Sequence, residues 1–388
     1  DAGTPLPLVD RAVYRLEKES IPRWNKFLQG YYDSSGISSD AFDQAIQIDT
    51  QGEPILTDAM REQGISLLTS VEPSIFYIGF NMLDPVIGGD SLRARLLRRA
   101  ISIAVDFEEF ISIFANGRGL VAQSPIPPGI FGHREGESGI NPFVYEWRQG
   151  RAVRRSLDEA RILMEQAGYP GGVDRETGRA LTINYEAVAT GPDDRARLNW
   201  MRKQFAKLGI ELVIRSTDYN RFQDKLRNGT GQVFMFGWNA DYPDPENFLF
   251  LLYGPHGKVK HQGENAANYV NPEFDRLFDE MKFMEDGPER QAILDRLVEI
   301  ARTDAPWIWG FHPKAFSLHH QWMHNAHPNQ MANNTLKYRR IDPELREQLR
   351  HDWNRPILWP LWAGAALLVL LIVPAWWLVR RRERSTAL

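Results

Sequence analysis

Three carboxylates crowd into six positions of this chain: Asp241, Asp244 and Glu246, within GWNADYPDPENF, residues 237–248. Carboxylates this close can do three kinds of chemistry. A single fixed anion can receive a ligand ammonium through a charge-assisted hydrogen bond. Several hard oxygens can hold calcium, and a spaced pair can hydrolyse a glycoside. The calcium reading lacks the glycine and further ligands of an EF-hand loop, and no second carboxylate at glycosidase spacing can be named. A purely structural reading stands beside these. An aspartate just past a strand forms an Asx-turn or caps the next helix, and Asp244 and Glu246 suit a cap for ENFLFLLYG. Asp241 is open to either role.

The other concentration of chemistry is histidine. His312, His319, His320, His324 and His327 place five of the nine histidines within sixteen positions, and imidazoles bind nickel, copper, zinc or haem iron. HHQWMHNAH has no helical spacing that sets four rings on one face, so surface or packing histidines are expected and no metal. With no cysteine in the chain, thiol catalysis and thiolate metal sites are excluded. G-x-S-x-G, Walker A and H-E-x-x-H are absent as well, and no catalytic residue is assigned.

The elements that position these residues alternate. The run Val233 to Phe236 reads as a buried strand, and Pro243 and Pro245 turn the next stretch into a loop. Ahead of it, Leu181–Tyr185 is strand-like, 193–208 is helical and closed by Gly209, Ile210–Ile214 is a strand and Tyr219–Asn228 a helix. This β-α-β-α-β order is that of an α/β lobe with a parallel or mixed sheet. Ser156 and Glu159 form a capping-box pattern for a helix ending near Gly168. Residues 91–117 read as one long helical pattern stopped at Asn116-Gly117, whose arginines 93, 95, 98 and 99 are expected on a solvated face. SPIPPGIFG (124–132) is a turn-rich loop, 271–284 and 287–306 are helical, and Trp307–Phe311 is an apolar strand. Residues 341–355 read as a polar connector.

Composition sets the class. The chain has 388 residues, 43% hydrophobic and 25% charged, with a formal net charge of -4. That is enough for two lobes of a globular protein, and dispersed basic residues give no face for nucleic acid. From Pro356 to Val379 there is no charged residue, and a helix of that length covers the roughly 30 Å hydrocarbon core. Trp359 and Trp362 stand at one end, Trp376 and Trp377 at the other, and Arg380-Arg381-Arg382 come next. A single transmembrane helix with its basic tail in the cytoplasm is expected, and the lipid bilayer as a partner. The first residues, Asp1 to Pro5, carry no initiator Met and no signal-peptide pattern, from which an export signal upstream of a cut chain is expected.

In this order the chain resembles the extracellular solute-binding proteins of ABC importers, the oligopeptide and dipeptide-binding family (family 5). The motifs that carry the resemblance are VYRLEKESIPRWNKFLQGYYD (13–33), FYIGFNM (76–82) leading into LRRAISIAVDFEEFISIFANGRG, SPIPPG, FMFGWNADYPDPENFL and NYVNPEFDRLFDE (268–280), spanning roughly residues 10–330. It implies a periplasmic binding protein type II-like two-lobe α/β fold, here partial. Residues 1–88 would be part of lobe I with the first hinge crossing, and 89–312 the α/β lobe II with the ligand loop. Residues 313–355 would return to lobe I, 356–379 would be the membrane helix and 380–388 the cytoplasmic tail. Hinge crossings are expected at Tyr77–Met82 and Trp309–Pro313. Two features depart from the family: about the first third of such proteins has no counterpart, and the anchor is C-terminal.

The resemblance also implies a role for Asp241. In peptide-binding relatives the aspartate of W-x-A-D-Y pairs with the α-ammonium of the bound peptide, and here that pattern is Trp238-Asn239-Ala240-Asp241-Tyr242. Gly237 to Asn239 would pair main chain to main chain with an extended ligand, and Trp238 would wall a side-chain pocket. The expected protein is the substrate-binding component of an importer. It would capture short peptides outside the cytoplasmic membrane and deliver them to an ABC permease, without a cofactor. A sugar, metal chelate or opine as ligand, or a membrane-tethered sensor, is the alternative.

Overall fold

The computed structural model describes residues 3–49, 53–188, 191–329, 331 and 334–385. Asp1, Ala2 and the last three residues of the expected tail lie outside them. Eight strands carry the body: β1 (Ser34–Gly36), β2 (Ile65–Val71), β3 (Ser74–Phe80), β4 (Gly119–Val121), β5 (Thr182–Val188), β6 (Glu211–Thr217), β7 (Val233–Asn239) and β8 (Trp307–His320). Their order is β1-β8-β3-β7-β5-β6, with β2 and β4 also on β8. The strongly patterned middle of the chain folds as its periodicity requires. β5, β6 and β7 are joined by helices Pro192–Ala206 and Tyr219–Arg227, and β5 pairs in parallel with both β6 and β7.

Because β5 lies between β6 and β7, the chain leaves β5 in one direction and returns past it in the other. The two connecting helices accordingly lie on opposite faces of the sheet. Trp200, Met201 and Phe205 of Pro192–Ala206 pack with Ile78, Phe80, Leu97 and Ile101, whereas Phe222 and Leu226 of Tyr219–Arg227 pack with Ile75, Tyr77, Phe274 and Leu297. Open α/β sheets place ligands at the carboxyl ends of strands where this reversal occurs.

Helix Leu157–Gln166 has both halves of its capping box, Glu159 N–H to Ser156 Oγ at 3.2 Å and Ser156 N–H to Glu159 Oε2 at 2.8 Å. The expected single helix over 91–117 is instead two, Leu92–Ala104 and Phe107–Ala115. Val105 is extended and Asp106 accepts the Glu109 N–H at 2.9 Å, so the break is a new N-cap. The arginines correct a second expectation. Arg98 is wholly buried and donates to the carbonyls of Ile87, Gly89, Asp304 and Ala305 at 2.7 to 3.1 Å. Arg99 stacks 3.6 Å over the Phe143 ring, and Arg95 pairs with Asp304 at 3.2 Å. A guanidinium fork suits the unpaired carbonyls and negative pole where helix Pro288–Asp304 ends, so these side chains tie two helices together rather than facing water.

β8 belongs to two sheets. Its first half pairs with β3 and β4, its second half with β2 and β1. The chain therefore passes between sheets twice at one level: at Glu72-Pro73 between β2 and β3, and in β8 around Gly310–Pro313, where the register shifts. The Glu72 N–H donates to the Pro313 carbonyl at 2.8 Å. A Cβ on Gly310 would lie 2.2 Å from the Phe76 carbonyl oxygen, so only glycine lets the strands cross so closely there. The expected crossing at Tyr77–Met82 begins inside β3, within the larger sheet.

Residues 343–353 form a helix rather than a bare connector, and it packs on the smaller sheet. Trp353 lies 5.6 Å from the Trp322 ring, Arg346 reaches Asp33 at 3.4 Å, and Asn354 donates to the Gln29 carbonyl at 2.9 Å. Five residues later begins the helix Trp359–Ser385, whose side chains are exposed through Arg382. The 24 residues Trp359–Arg382 are long and apolar enough to cross a membrane.

Candidate ligand site at the end of β7

β7 pairs with β3 along its full length, Gly237 opposite Phe76, Trp238 opposite Ile75 and Asn239 opposite Ser74. With β5 it pairs only at Val233 and Phe234. From Met235 to Asn239 its other edge has no strand partner among the described residues, which leaves main-chain groups for an extended guest. A Cβ on Gly237 would lie 2.7 Å from the Phe76 ring, so the residue is small because that ring lies against it.

The loop beyond β7 is fastened to the sheet crossing. The Ala240 N–H donates to the Pro73 carbonyl at 2.9 Å, and Ser74 Oγ donates to the Asn239 side-chain oxygen at 2.7 Å. Asn247, buried in the short helix Glu246–Leu249, accepts from the Asp241 N–H at 2.8 Å and from Trp238 Nε1 at 3.2 Å. One amide oxygen thus fixes both the ring and the carboxylate-bearing backbone. Sequence reasoning missed Asn247; its only signal was a polar residue directly before the apolar run Phe248–Leu252. Trp238 packs edge-on to Phe250 at 5.1 Å.

The three carboxylates differ. Asp244, one residue before the Pro245 N-cap of the short helix, accepts the Glu246 N–H at 2.8 Å in an Asx-turn and is held by both ends of the Arg290 guanidinium at 2.7 and 3.0 Å. Arg290 is buried and also bonds Asp286. Glu246 accepts from the Tyr242 hydroxyl, and burial together with that carboxylate pushes the phenol up to about 12. Asp241 is exposed, and its carboxylate makes no hydrogen bond or ion pair among the described residues. The carboxylates do not converge, and no group of three or more metal-ligating side chains occurs among the described residues.

Two cavities flank the strand end. A polar one of about 770 Å³ is lined by Trp238, Asp241, Asp224, Arg227, Lys258 and Glu264 among others, and an apolar one of about 540 Å³ is walled by aromatic rings. Gly237 and Asn239 line both, whereas Tyr242 lines neither. The structure therefore brings Gly237, Trp238, Asn239 and Asp241 together around one cavity and leaves Tyr242 outside.

The histidines are spread over separate environments: His312, His319 and His320 are buried, His324 is half-buried and His327 exposed. His312 is buried with Nδ1 2.8 Å from the Ser74 carbonyl. His320 is buried between Phe27 and Trp322, at 4.4 and 4.1 Å, with Nε2 2.8 Å from the Phe27 carbonyl. His319 lies against Ser317 and Met323. Burial pushes His312 and His319 down to about 4 and lowers His320 as well. Each of these three rings has a different neighbour on one nitrogen, while His312 Nε2 and His320 Nδ1 are buried without a hydrogen-bond partner among the described residues.

Residues 3–260 match the family model of bacterial extracellular solute-binding proteins, family 5 Middle. Heme-binding protein A of Haemophilus influenzae is 25% identical over 253 residues, covering 65% of this chain and 42% of that protein. Di/tripeptide-binding protein 4 of Pseudomonas aeruginosa is 25% identical over 232 residues, covering 60% and 40%. Among solved structures, the periplasmic binding protein DppA from Helicobacter pylori in complex with the peptide STSA superposes with a TM-score of 0.65 at 20% identity, over 84% of this chain and 56% of that one. A Pseudoalteromonas dipeptide binding protein in complex with Met-Leu gives 0.64 at 21%, over 85% and 58%. The chain thus spans about two-fifths of the length of these curated relatives.

Proposed function

Because the chain belongs to the bacterial extracellular solute-binding proteins of family 5 and carries part of their type II periplasmic binding protein fold, we propose that it captures short peptides outside the cytoplasmic membrane and delivers them to an ABC permease. One observation carries the peptide reading: an exposed carboxylate, Asp241, stands beside the edge of Gly237–Asn239, and among the described residues neither has a partner. Every free peptide offers an α-ammonium for the first and main-chain groups for the second, whatever its side chains. Closure about the crossings at Glu72-Pro73 and Gly310–Pro313 would remove water from Asp241 once the ammonium is in place.

Asp241→Asn should therefore weaken the binding of free tripeptides by about 2 to 5 kcal/mol, the scale for truncating one partner of a desolvated ion pair. Isothermal calorimetry on the full chain measures this. Peptides with acetylated N-termini should bind poorly to the unmodified protein and lose little more on substitution. Equal affinity for free and acetylated peptides overturns the ammonium anchor.

The helix Trp359–Ser385 is proposed as a single-pass anchor, the body outside and Arg380–Arg382 inside. Its charge asymmetry and tryptophan pairs support this orientation. The packed helix Pro343–Trp353 would hold the smaller sheet against the membrane surface and leave the larger sheet free to close. A reporter active only outside the cytoplasm should give signal when fused at Asp352 and none when fused after Leu388; the opposite pattern rejects the topology.

A further inference from the structure

The apolar cavity is a separate feature from the acidic loop. It lies beyond the carboxyl ends of β5 and β7, where the connections part to opposite faces of the sheet, the place where open α/β sheets receive ligands. Its wall is a continuous set of rings: Phe311 stacks on Phe76 at 5.2 Å, Phe110 lies 5.7 Å from Phe311, and Phe114 lies 5.1 Å from Phe110. About 540 Å³ falls within the usual range of roughly 300 to 1,000 Å³ for ligand pockets.

Charge within it is confined. Glu186 is buried in the lining, but Lys225 pairs with it, so it offers no free anion to a basic guest. The other charged lining residues, Asp194 and Arg197, sit on helix Pro192–Ala206, where Asp194 is half-buried and Arg197 exposed. Tyr219, Phe236, Gly237 and Asn239 line this cavity and the polar one alike, so the end of β7 is the partition between them. An extended guest on a strand turns successive side chains to opposite sides. A ligand lying along the partition would therefore face the carboxylate of Asp241 on one flank and aromatic rings on the other.

We propose that the aromatic cavity is the specificity pocket of the site, taking one bulky apolar side chain, aromatic or large aliphatic, of a ligand whose main chain lies along Gly237–Asn239. This rests on the peptide reading and adds a preference to it: the protein selects amphipathic peptides rather than accepting all.

The test is a tripeptide panel on the full chain in nanodiscs: Ala-Ala-Ala and the three peptides with one alanine replaced by phenylalanine. Burying the ring should make one of the three bind about tenfold tighter or more than Ala-Ala-Ala. Ala115→Phe adds a ring to the lining from the last turn of helix Phe107–Ala115. It should bring that ratio close to one, with an unchanged melting temperature reporting an intact fold. If this variant does not fold, Leu198→Trp, from a half-buried lining position on helix Pro192–Ala206, serves in its place. Phenylalanine peptides within twofold of Ala-Ala-Ala, or a preference that survives the filled cavity, overturns the pocket while the peptide reading stands. If no peptide of the panel binds, both fall together.

Discussion

The stretches 237–246 and 312–327 both gather side chains able to hold a charge or a metal, and the fold uses them differently although they meet at Ser74, which pairs with Asn239 and bonds His312. In the first, the backbone is tied down by Asn247, Pro73 and Ser74, and one carboxylate, Asp241, is left exposed on that rigid frame. In the second, three of the five rings are themselves consumed by packing. His312, His319 and His320 are buried, and each spends a ring nitrogen on a carbonyl, a hydroxyl or a thioether. A binding group must be held by its backbone and left free at its tip. A packing group is held at its tip.

The largest effect that would separate the two stretches is acid lability. Unfolded histidines titrate near 6.5, whereas burial holds His312 and His319 to about 4. Between those values the unfolded chain binds protons that the native chain refuses. The contribution of these two rings to stability is therefore full above about pH 6.5 and is lost as the pH falls toward 4, by an amount on the order of 3 kcal/mol for each group. Urea titrations across that range should show the loss, and His312→Gln with His319→Gln should flatten it. A native profile as flat as the double variant's would mean that these rings are not held neutral by the fold.

Next in size is His320→Ala. The substitution removes a ring wedged between Phe27 and Trp322 and leaves the Phe27 carbonyl without its donor. A loss of about 3 kcal/mol in unfolding free energy is expected, the scale for emptying an aromatic-sized site, with peptide affinity unaltered. A metal equivalent lost along with the ring would instead move this stretch into the class of sites.

Much of the larger sheet was legible because its cues are local. Alternation over 181–238, the Ser156–Glu159 box and the Asn116-Gly117 stop are each decided by neighbours in the chain. What escaped depends on distant partners. Arg98 reads as one more charge on a helix, yet besides Ile87 and Gly89 the carbonyls that receive it come from the far end of Pro288–Asp304, at Asp304 and Ala305. Asn247 acts on residues six and nine positions before it, and no spacing rule marks it. The place of Asp241 in the site came from a family pattern; its exposure came from the fold. An unbroken apolar run such as SIFYIGF does not say which sheet it joins, so the passage between sheets at Glu72-Pro73 shows only in its strand partners.

Within the acidic loop, Asp244→Asn should cost about 2 kcal/mol of stability, in the range for hydrogen bonds to a charged group. Arg290 would keep Asp286 but lose its two-point partner. The melting temperature should fall, while tripeptide affinity, measured where the variant is still folded, should not. A normal melt with lost affinity would make Asp244 the anchor in place of its neighbour.

The smallest stability effect is expected at the residue with the largest effect on binding. Asp241 is exposed, its carboxylate is bonded to nothing among the described residues, and what fixes it is its own N–H on Asn247. Asp241→Asn keeps that N–H and nearly the same shape, so the unfolding free energy should stay within about 0.5 kcal/mol of the parent, as for surface substitutions away from any network. The removal of one anion from a polar cavity that also holds Asp224 and Glu264 adds no repulsion that would offset this. Differential scanning calorimetry without peptide measures the first quantity, and the same experiment with saturating free tripeptide measures the second. Ligand that binds only the native state raises the melting temperature in proportion to its affinity, so the parent should shift and Asp241→Asn should shift far less. A drop in the ligand-free melt would show Asp241 bound into the fold after all, and the contrast with the histidines would reduce to one of exposure alone.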